Sequence, residues 1–216
     1  MPKVLILHAS WGSGHLSAAN ALAEAFSQLG AAARVEDGFD YAAAGVRAIF
    51  VEAYPRLCER RPNLWRWIYE GTDCADLQRA YRTNTLWGAI QRPAYRRLET
   101  LIHETNPDVL VCTQQFPLLI VRALQHQGRI SVPYYVVITD VTAHSSWLNE
   151  GTAGYFVADA STRADLAARG IPDHLLHVTG IPVQLEVGQF RVPLRSQDEQ
   201  SFRFVAIGNL GHDRRR

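Results

Sequence analysis

A glycine-rich turn near the amino terminus carries the first side chain suited to chemistry. The segment GSGH, Gly12–His15, follows the apolar run Val4–Leu7 and precedes a stretch rich in alanine and leucine. Glycines permit backbone angles and a close ligand approach that a Cβ would block. Free amides at a helix start favour an anion, and an imidazole there can exchange a proton near neutral pH. The plainer alternative is that His15 only caps the turn.

A second group of polar and aromatic side chains follows a dense β-branched and aromatic run. Thr139 and Asp140 come directly after that run, and His144 and Trp147 follow in the loop. A carboxylate, an imidazole and an indole together would serve as base, proton relay and platform for a sugar ring. In the alternative, Asp140 caps a turn while the other two pack on a neighbour. Gly180, in the segment VTGIPV, predicts a bend at the same edge of the sheet.

The glycine turn differs from two common nucleotide-binding turns. A P-loop requires a lysine that this turn does not have. A dinucleotide fingerprint would place a third glycine where Ser17 stands, although Glu36 and Asp37 end the second predicted strand, where an acid would hold a ribose. A nicotinamide-dependent oxidoreductase lobe therefore stays open as an alternative.

The elements that must position these residues alternate along the chain. Strands are predicted at Val4–His8, Ala33–Glu36, Val109–Thr113, Tyr134–Ile138, Gly154–Val157 and Leu176–Thr179. Helices are predicted at His15–Leu29, Leu118–Gln127 and Thr162–Arg169, with a mostly helical region over 41–105. Alternating strands and helices predict the α/β class, with a Rossmann-like, doubly wound parallel sheet whose ligands lie beyond the carboxyl ends of the strands.

The predicted domain organisation is one lobe and the start of another. Residues 1–186 carry all six strands, 187–201 read as a polar linker, and 202–216 as one more strand entering a glycine turn. A second Rossmann-like lobe cannot be built from one strand, so this second lobe is expected to be incomplete.

The composition of the chain argues against one class of partner and indicates where the protein is located. The 216 residues carry a net charge of +1, which argues against nucleic acid as a partner. The three cysteines form no CxxC pair, and no segment reads as a signal peptide or a bilayer span, so a cytoplasmic protein is expected.

The helical middle of the chain favours a lipid surface. From Arg56 to Arg97 there are nine arginines against four acids, interleaved with aromatic residues. Tryptophans at the headgroup boundary and guanidinium groups on lipid phosphates are typical of peripheral membrane binding. The interface is predicted to include Trp65, Arg66, Trp67, Trp87, Arg96 and Arg97. The alternative is ordinary packing of the rings beside a solvated arginine face.

Five segments together carry a resemblance to a known family. They are GSGH, the YP of residues 54–55, WRWIYEGTD from Trp65 to Asp73, the Asp, His and Trp within 139–147, and TGIPV from Thr179 to Val183. In this order they resemble the N-terminal half of the monogalactosyldiacylglycerol synthases and processive diacylglycerol glucosyltransferases, relatives of the peptidoglycan N-acetylglucosaminyltransferase. The resemblance covers roughly Lys3 to Glu186.

The resemblance implies a GT-B glycosyltransferase whose N-terminal lobe, here 1–186, holds a diacylglycerol acceptor. The C-terminal lobe, which would hold a UDP-sugar donor, is truncated here, so this chain alone is expected to be inactive. The implied reaction is an inverting hexosyl transfer in glycolipid synthesis, with no obligatory metal or cofactor. The implied location is the inner face of the cell membrane, bound peripherally.

The resemblance also implies roles for individual residues. His15 is the expected base, with Asp140 as the competing candidate. Substrate-binding roles are expected for Gly12, Ser13, Gly14, His144, Trp147 and Gly180. One departure concerns Gln114 and Gln115, where a histidine is expected in place of a glutamine. A non-catalytic lipid-binding module is the remaining alternative.

Overall fold

A computed structural model of the chain describes residues 1–10, 13–53, 56, 59–140 and 142–186, and only the backbone of Val51, Pro62, Trp65 and Ile68. Within this part, six strands form one parallel sheet in the order β2-β1-β3-β4-β5-β6. The strands are β1 Lys3–His8, β2 Ala32–Asp37, β3 Val109–Cys112, β4 Tyr134–Val137, β5 Gly154–Val157 and β6 Leu176–Val178. The predicted α/β class and Rossmann-like parallel sheet are confirmed. The predicted linker 187–201 and second lobe 202–216 lie outside the described residues.

The helices connect these strands and cover both faces of the sheet. They are α1 Ser13–Gln28, α2 Ala44–Arg47, α3 Pro62–Thr72, α4 Leu77–Gln91, α5 Arg96–Thr105, α6 Gln115–His126 and α7 Ala160–Ala168. A π-helical turn extends α2 over Ala48–Ala53, and 3-10 turns occupy Gly38–Tyr41, Arg92–Tyr95, Ser145–Trp147 and Asp173–Leu175. No helix in the described ranges is both long enough and apolar enough to span a bilayer.

The central strand β1 shows how the sheet divides the core into two layers. Leu5 and Leu7 point into the larger cluster, which also holds Trp147, whereas Val4 and Ile6 pack against α1 on the other face. Side chains alternate between the two faces of a strand, so an uninterrupted apolar run is expected only where both faces are covered. Because both faces of the sheet are covered, the carboxyl edge of the sheet is where polar residues can lie.

Helix α4 lies very close to α6. A Cβ added at Gly88 would stand 2.3 Å from the carbonyl oxygen of Leu119 and 3.1 Å from the Cβ of Ala123. A glycine at the contact lets two helix backbones approach more closely than any other residue would allow. On the same side of α4, one and two turns before Gly88, Asn84 and Ala80 are also buried.

Candidate functional site

The candidate site lies at the carboxyl edge of three neighbouring strands. Strand β3 lies between β1 and β4 in the sheet, so the segments that follow these strands meet at one edge. They bring together His15 at the start of α1, Thr113 directly after β3, and Thr139 and Asp140 after β4. This is the edge at which open parallel sheets bind ligands.

The imidazole of His15 is held through one ring nitrogen. Its Nδ1 lies 2.9 Å from the carbonyl oxygen of Thr113 and 2.6 Å from the hydroxyl oxygen of Thr139. A carbonyl oxygen only accepts hydrogen bonds, so Nδ1 donates and carries the ring proton. Nε2 therefore holds the lone pair, and it has no hydrogen-bond partner among the described residues. The Thr113 hydroxyl also donates to the backbone oxygen of His15, at 3.1 Å.

The electrostatics of His15 favour a neutral imidazole. Burial lowers its pKa from the ordinary value, while the charge of Asp140 and the carbonyl of Thr113 act in the opposite direction and His8 adds to the lowering. A neutral imidazole with a fixed Nδ1–H and an open Nε2 is the form that accepts a proton. The arrangement is therefore chemically competent as a general base.

Asp140 is held in place by two donors. Its Oδ2 accepts a hydrogen bond from Nε1 of Trp147 at 2.9 Å and from Nε2 of Gln115 at 3.3 Å. Both donors fix the position of the carboxylate, and its charge in turn raises the pKa of His15. Asp140 is thus placed to stabilise the cation that His15 becomes after accepting a proton.

The structure corrects the expectation that Trp147 is a platform for a sugar ring. Its side chain is 0% exposed and lies in the larger core cluster. Its ring is tilted by 50° to that of His15, with 6.3 Å between the centroids. A completely buried indole has no free face for a ligand to stack on, so Trp147 instead fixes Asp140.

His144 is likewise a structural residue of the loop, not an open substrate contact. It is buried, and its Nε2 donates to the carbonyl oxygen of Tyr69 at 3.0 Å. Its Nδ1 accepts from the backbone N–H of Ser146 at 3.0 Å, which caps the 3-10 turn. Both ring nitrogens are occupied, so the alternative of packing on a neighbouring element describes His144 better.

The glycine turn leaves open space at the start of α1. Ser13 and Gly14 are exposed, and a Cβ added at Gly14 would meet no atom within 4 Å. Gly14 has no positive φ either. Among the described residues, neither packing nor backbone conformation therefore requires glycine at this position. Gly12 lies outside the described residues.

Gly180 makes the predicted bend but lies away from His15. Its φ is +80°, and it follows β6, four strands from β1 in the sheet. At about 4.8 Å per strand the separation is about 19 Å. Gly180 lines a different, apolar cavity of about 550 Å³ on the α1 face of the sheet, together with Phe26 and Phe156.

The acids expected to hold a ribose are engaged elsewhere. Glu36 accepts a hydrogen bond from the Tyr41 hydroxyl at 2.7 Å and pairs with Arg34. Asp37 caps the following 3-10 turn by accepting from the backbone N–H of Phe39 at 2.9 Å. Since both carboxylates have local partners, nothing favours the nicotinamide-binding alternative.

Most of the predicted interface residues lie on the surface. Trp67 is 73% exposed and Trp87 is 54% exposed, and Arg66, which pairs with Glu70 at 3.6 Å, is also exposed. Helix α4 adds two further large apolar side chains on its outer surface, Leu86 at 61% and Ile90 at 60% exposure. Arg96 and Arg97 are exposed at the start of α5, where the guanidinium of Arg97 lies 5.9 Å above the ring of Tyr41. The side chain of Trp65 is outside the described part.

Sequence reasoning missed the residues that hold the site together. Thr113 touches His15, and Asn84 of α4 donates to the carbonyl oxygens of Ser145 and Leu148 at 2.9 and 2.7 Å. The sequence had singled out Gln115 only as a departure from the family, whereas its side chain contacts Asp140. The position of Thr113 at the end of a predicted strand was a usable signal. No signal in the sequence indicated the two contacts of Asn84, because the partner residues lie more than 60 positions away along the chain.

Comparisons with known proteins agree with this architecture. A family model described as monogalactosyldiacylglycerol (MGDG) synthase matches residues 15–183. The chain is 31% identical over 190 residues to a processive diacylglycerol beta-glucosyltransferase of Bacillus cytotoxicus (strain DSM 22905), a match that covers 85% of this chain and 45% of the relative. A protein of the same description from Bacillus cereus (strain B4264) gives the same identity and coverage. The corresponding Bacillus thuringiensis (strain Al Hakam) protein is 30% identical over 184 residues.

The chain spans less than half of the length of these curated relatives, because each match covers 45% of the relative.

Proposed function

Because this chain belongs to the monogalactosyldiacylglycerol synthase family, we propose that it forms the acceptor lobe of a diacylglycerol glycosyltransferase. The donor is a UDP-sugar, and the product is a glycolipid. Two observations support this assignment: the activity named for the relatives, and the exposed apolar residues on α3 and α4. The donor-binding part belongs to the portion of the relatives that the match does not cover.

In the proposed reaction His15 is the base. Nε2 accepts the proton of the diacylglycerol hydroxyl, and the hydroxyl oxygen bonds to the anomeric carbon of the hexose. The bond from that carbon to the UDP oxygen breaks on the opposite face, and its electron pair leaves with UDP, so a single displacement inverts the configuration. Asp140 stabilises the imidazolium until the proton is lost to solvent.

The observation that carries the proposal is the state of His15 itself. A structural histidine would use both ring nitrogens, as His144 does. In His15 only Nδ1 is engaged, by Thr113 and Thr139, and the ring lies at the carboxyl edge beside an open glycine turn. This arrangement fixes the orientation and the tautomer and leaves the basic nitrogen available.

We further propose peripheral attachment to a membrane through the outer surface of α3 and α4. Leu64 and Trp67 are exposed on α3, and Leu86, Trp87 and Ile90 on α4. Such side chains gain free energy when they enter the headgroup boundary. Helix α4 packs against the 3-10 turn that contains Trp147, so a bilayer at this surface is close to the site.

The test joins residues 1–186 to the carboxyl-terminal half of the Bacillus cytotoxicus relative. The fusion is incubated with radiolabelled UDP-glucose and diacylglycerol vesicles, and the lipid extract is assayed. We expect a labelled glycolipid, and a loss of turnover of at least about 100-fold for His15→Ala.

The matched control is His174→Ala, since His174 is exposed in the 3-10 turn before β6. This variant should retain full turnover. A fusion that folds and binds vesicles without transferring sugar would instead support the non-catalytic lipid-binding module. Equal turnover of the two variants would contradict the role of His15.

A further inference from the structure

A second charged site lies away from His15, on the side of α5. A cavity of about 520 Å³ opens between the turn that precedes α5, α5 itself and the turn that follows α6. Its walls are formed by charged and polar side chains, namely Arg92, Arg96, Glu99, Thr100, His103 and Arg129. Three arginines face one carboxylate here, so the cavity carries an excess of positive charge.

The single carboxylate is shared among several basic side chains. Glu99 is buried, with a side chain 10% exposed, and it pairs with Arg129, with Arg92 at 3.6 Å and with His103 at 3.9 Å. One negative charge cannot neutralise all of these groups. Its structural effect is to hold Arg92 and Arg129 with their guanidinium groups at the cavity.

One donor in the cavity is left without a partner. The Nε of Arg92 is buried and has no hydrogen-bond partner in the described part of the chain. Arg96 lines the same cavity, is exposed and forms no ion pair with a described residue.

We propose that this cavity binds a phosphate group. The planar fork of a guanidinium matches two phosphate oxygens at once, and three arginines around one space give more donors than Glu99 can use. The cavity follows directly on the exposed apolar surface of α4, since Ile90 precedes Arg92 by two residues. The phosphate is supplied by an anionic lipid headgroup or by a soluble phosphate compound.

This inference goes beyond the proposed transfer reaction and rests on the proposed membrane attachment only for the lipid source. The test uses the full 216-residue chain and two probes. Inorganic phosphate is titrated by calorimetry, and vesicles of phosphatidylcholine with or without phosphatidylglycerol are sedimented with the protein. Neither readout requires sugar transfer, so a failure of the transfer reaction does not affect it.

The variant is Arg96→Gln, because Arg92 and Arg129 pair with the buried Glu99 and their loss would endanger folding. The matched control is Arg163→Gln, which removes the same charge from α7, a helix packed on β5 and β6. We expect Arg96→Gln to raise the dissociation constant for phosphate about tenfold, the loss of one charged hydrogen bond, while the control leaves it unchanged.

The two probes separate the sources of the phosphate. A similar loss with phosphatidylglycerol vesicles, absent with phosphatidylcholine alone, supports a lipid headgroup. A loss with inorganic phosphate only supports a soluble phosphate compound. Equal binding by Arg96→Gln and Arg163→Gln in both arms, with both variants folded by circular dichroism, overturns the proposal.

Discussion

At the scale of single residues, the site depends on how hydrogen bonds divide two histidines into different roles. His144 uses both ring nitrogens within its loop, and His15 uses only Nδ1. The sequence places both histidines at the correct edge of the sheet, but it cannot distinguish them. The difference arises from Thr113 and Tyr69, which come from other parts of the chain and meet the rings only in the folded protein.

A charge-neutralising change at Asp140 tests the electrostatics of His15. The Asp140 carboxylate raises the pKa of His15 against the stronger lowering by burial. In Asp140→Asn the ring should therefore titrate at a lower pH than in the unchanged chain, as measured by NMR of the imidazole. Since the base must be neutral, the acid limb of the pH–rate profile of the fusion should move to lower pH as well.

The control for this titration is Asp173→Asn, which changes a surface carboxylate near β6 that pairs with Arg163. It should leave the His15 titration unchanged. A His15 pKa that stays constant or rises in Asp140→Asn would contradict the proposed charge coupling.

A methyl group at Gly14 tests whether the glycine turn is shaped for a ligand. Gly14→Ala adds a Cβ that meets no protein atom within 4 Å. Alanine is the better helix former by about 1 kcal/mol, so the free energy of unfolding should stay constant or rise by up to that amount. Turnover of the fusion should fall at least about tenfold if the acceptor or donor approaches the turn closely.

Gly45→Ala is the matched control, because a Cβ there also meets open space. Urea unfolding and the transfer assay are run on both variants. If Gly14→Ala retains full turnover, the prediction that a substrate approaches this glycine closely is wrong.

At the scale of secondary-structure elements, the strands were predicted from sequence to within one residue at each end. Continuous apolar runs such as Val109–Cys112 identify strands covered on both faces. The start of α6 was predicted three residues too late, at Leu118. The side chain of Gln114 accepts a hydrogen bond from the N–H of Phe116 at 2.6 Å and caps the helix earlier, and Pro117 is tolerated in a first turn.

The sequence predicted that the region over 41–105 is mostly helical, but it did not predict how these helices pack. Trp67 is exposed and Tyr95 is buried, although both are aromatic residues within the same arginine-rich helical region of the sequence. Periodicity indicates that a helix forms, whereas the neighbour against which each face packs depends on contacts distant in sequence.

The close approach of α4 and α6 gives a stability prediction. Gly88→Ala forces a Cβ to within 2.3 Å of the Leu119 carbonyl, so the two helices must separate. Such overpacking costs typically about 1–3 kcal/mol, which should appear as a lower free energy of unfolding in urea. Gly71→Ala in α3 is the control, since an added Cβ there meets no atom, and it should not destabilise the chain. Equal stability of both variants would mean that the helices are not in tight contact.

At the scale of the whole molecule, the proposed function assigns two surfaces to the described lobe. One is the carboxyl edge of the sheet with His15, and the other is the exposed apolar side of α3 and α4. The resemblance to the family came partly from motifs at this edge, GSGH and the segment 139–147, and partly from segments elsewhere, such as residues 65–73 on α3 and its C-cap. The membrane surface is defined by exposure, which the sequence alone could only suggest through composition.

Substituting an exposed leucine tests the membrane surface. Leu86 on α4 is 61% exposed, and Leu29 after α1 is 82% exposed. We expect Leu86→Gln to weaken binding of the full chain to phosphatidylglycerol-containing vesicles about five- to thirtyfold, because insertion of a leucine contributes about 1–2 kcal/mol. Leu29→Gln makes the same chemical change outside this surface and should bind as the unchanged chain does. Sedimentation with vesicles measures both, and an equal effect of the two variants would place the contact elsewhere.

The amide of Asn84 has one more mechanical consequence. It ties the lipid-facing helix to two carbonyl groups of the loop that carries Trp147 and, through it, Asp140. A force on that helix, such as the lateral pressure of a bilayer, must either rupture both bonds or drag the loop along. If α4 is the membrane anchor as proposed, Asn84 therefore couples that anchor to the loop that fixes Asp140.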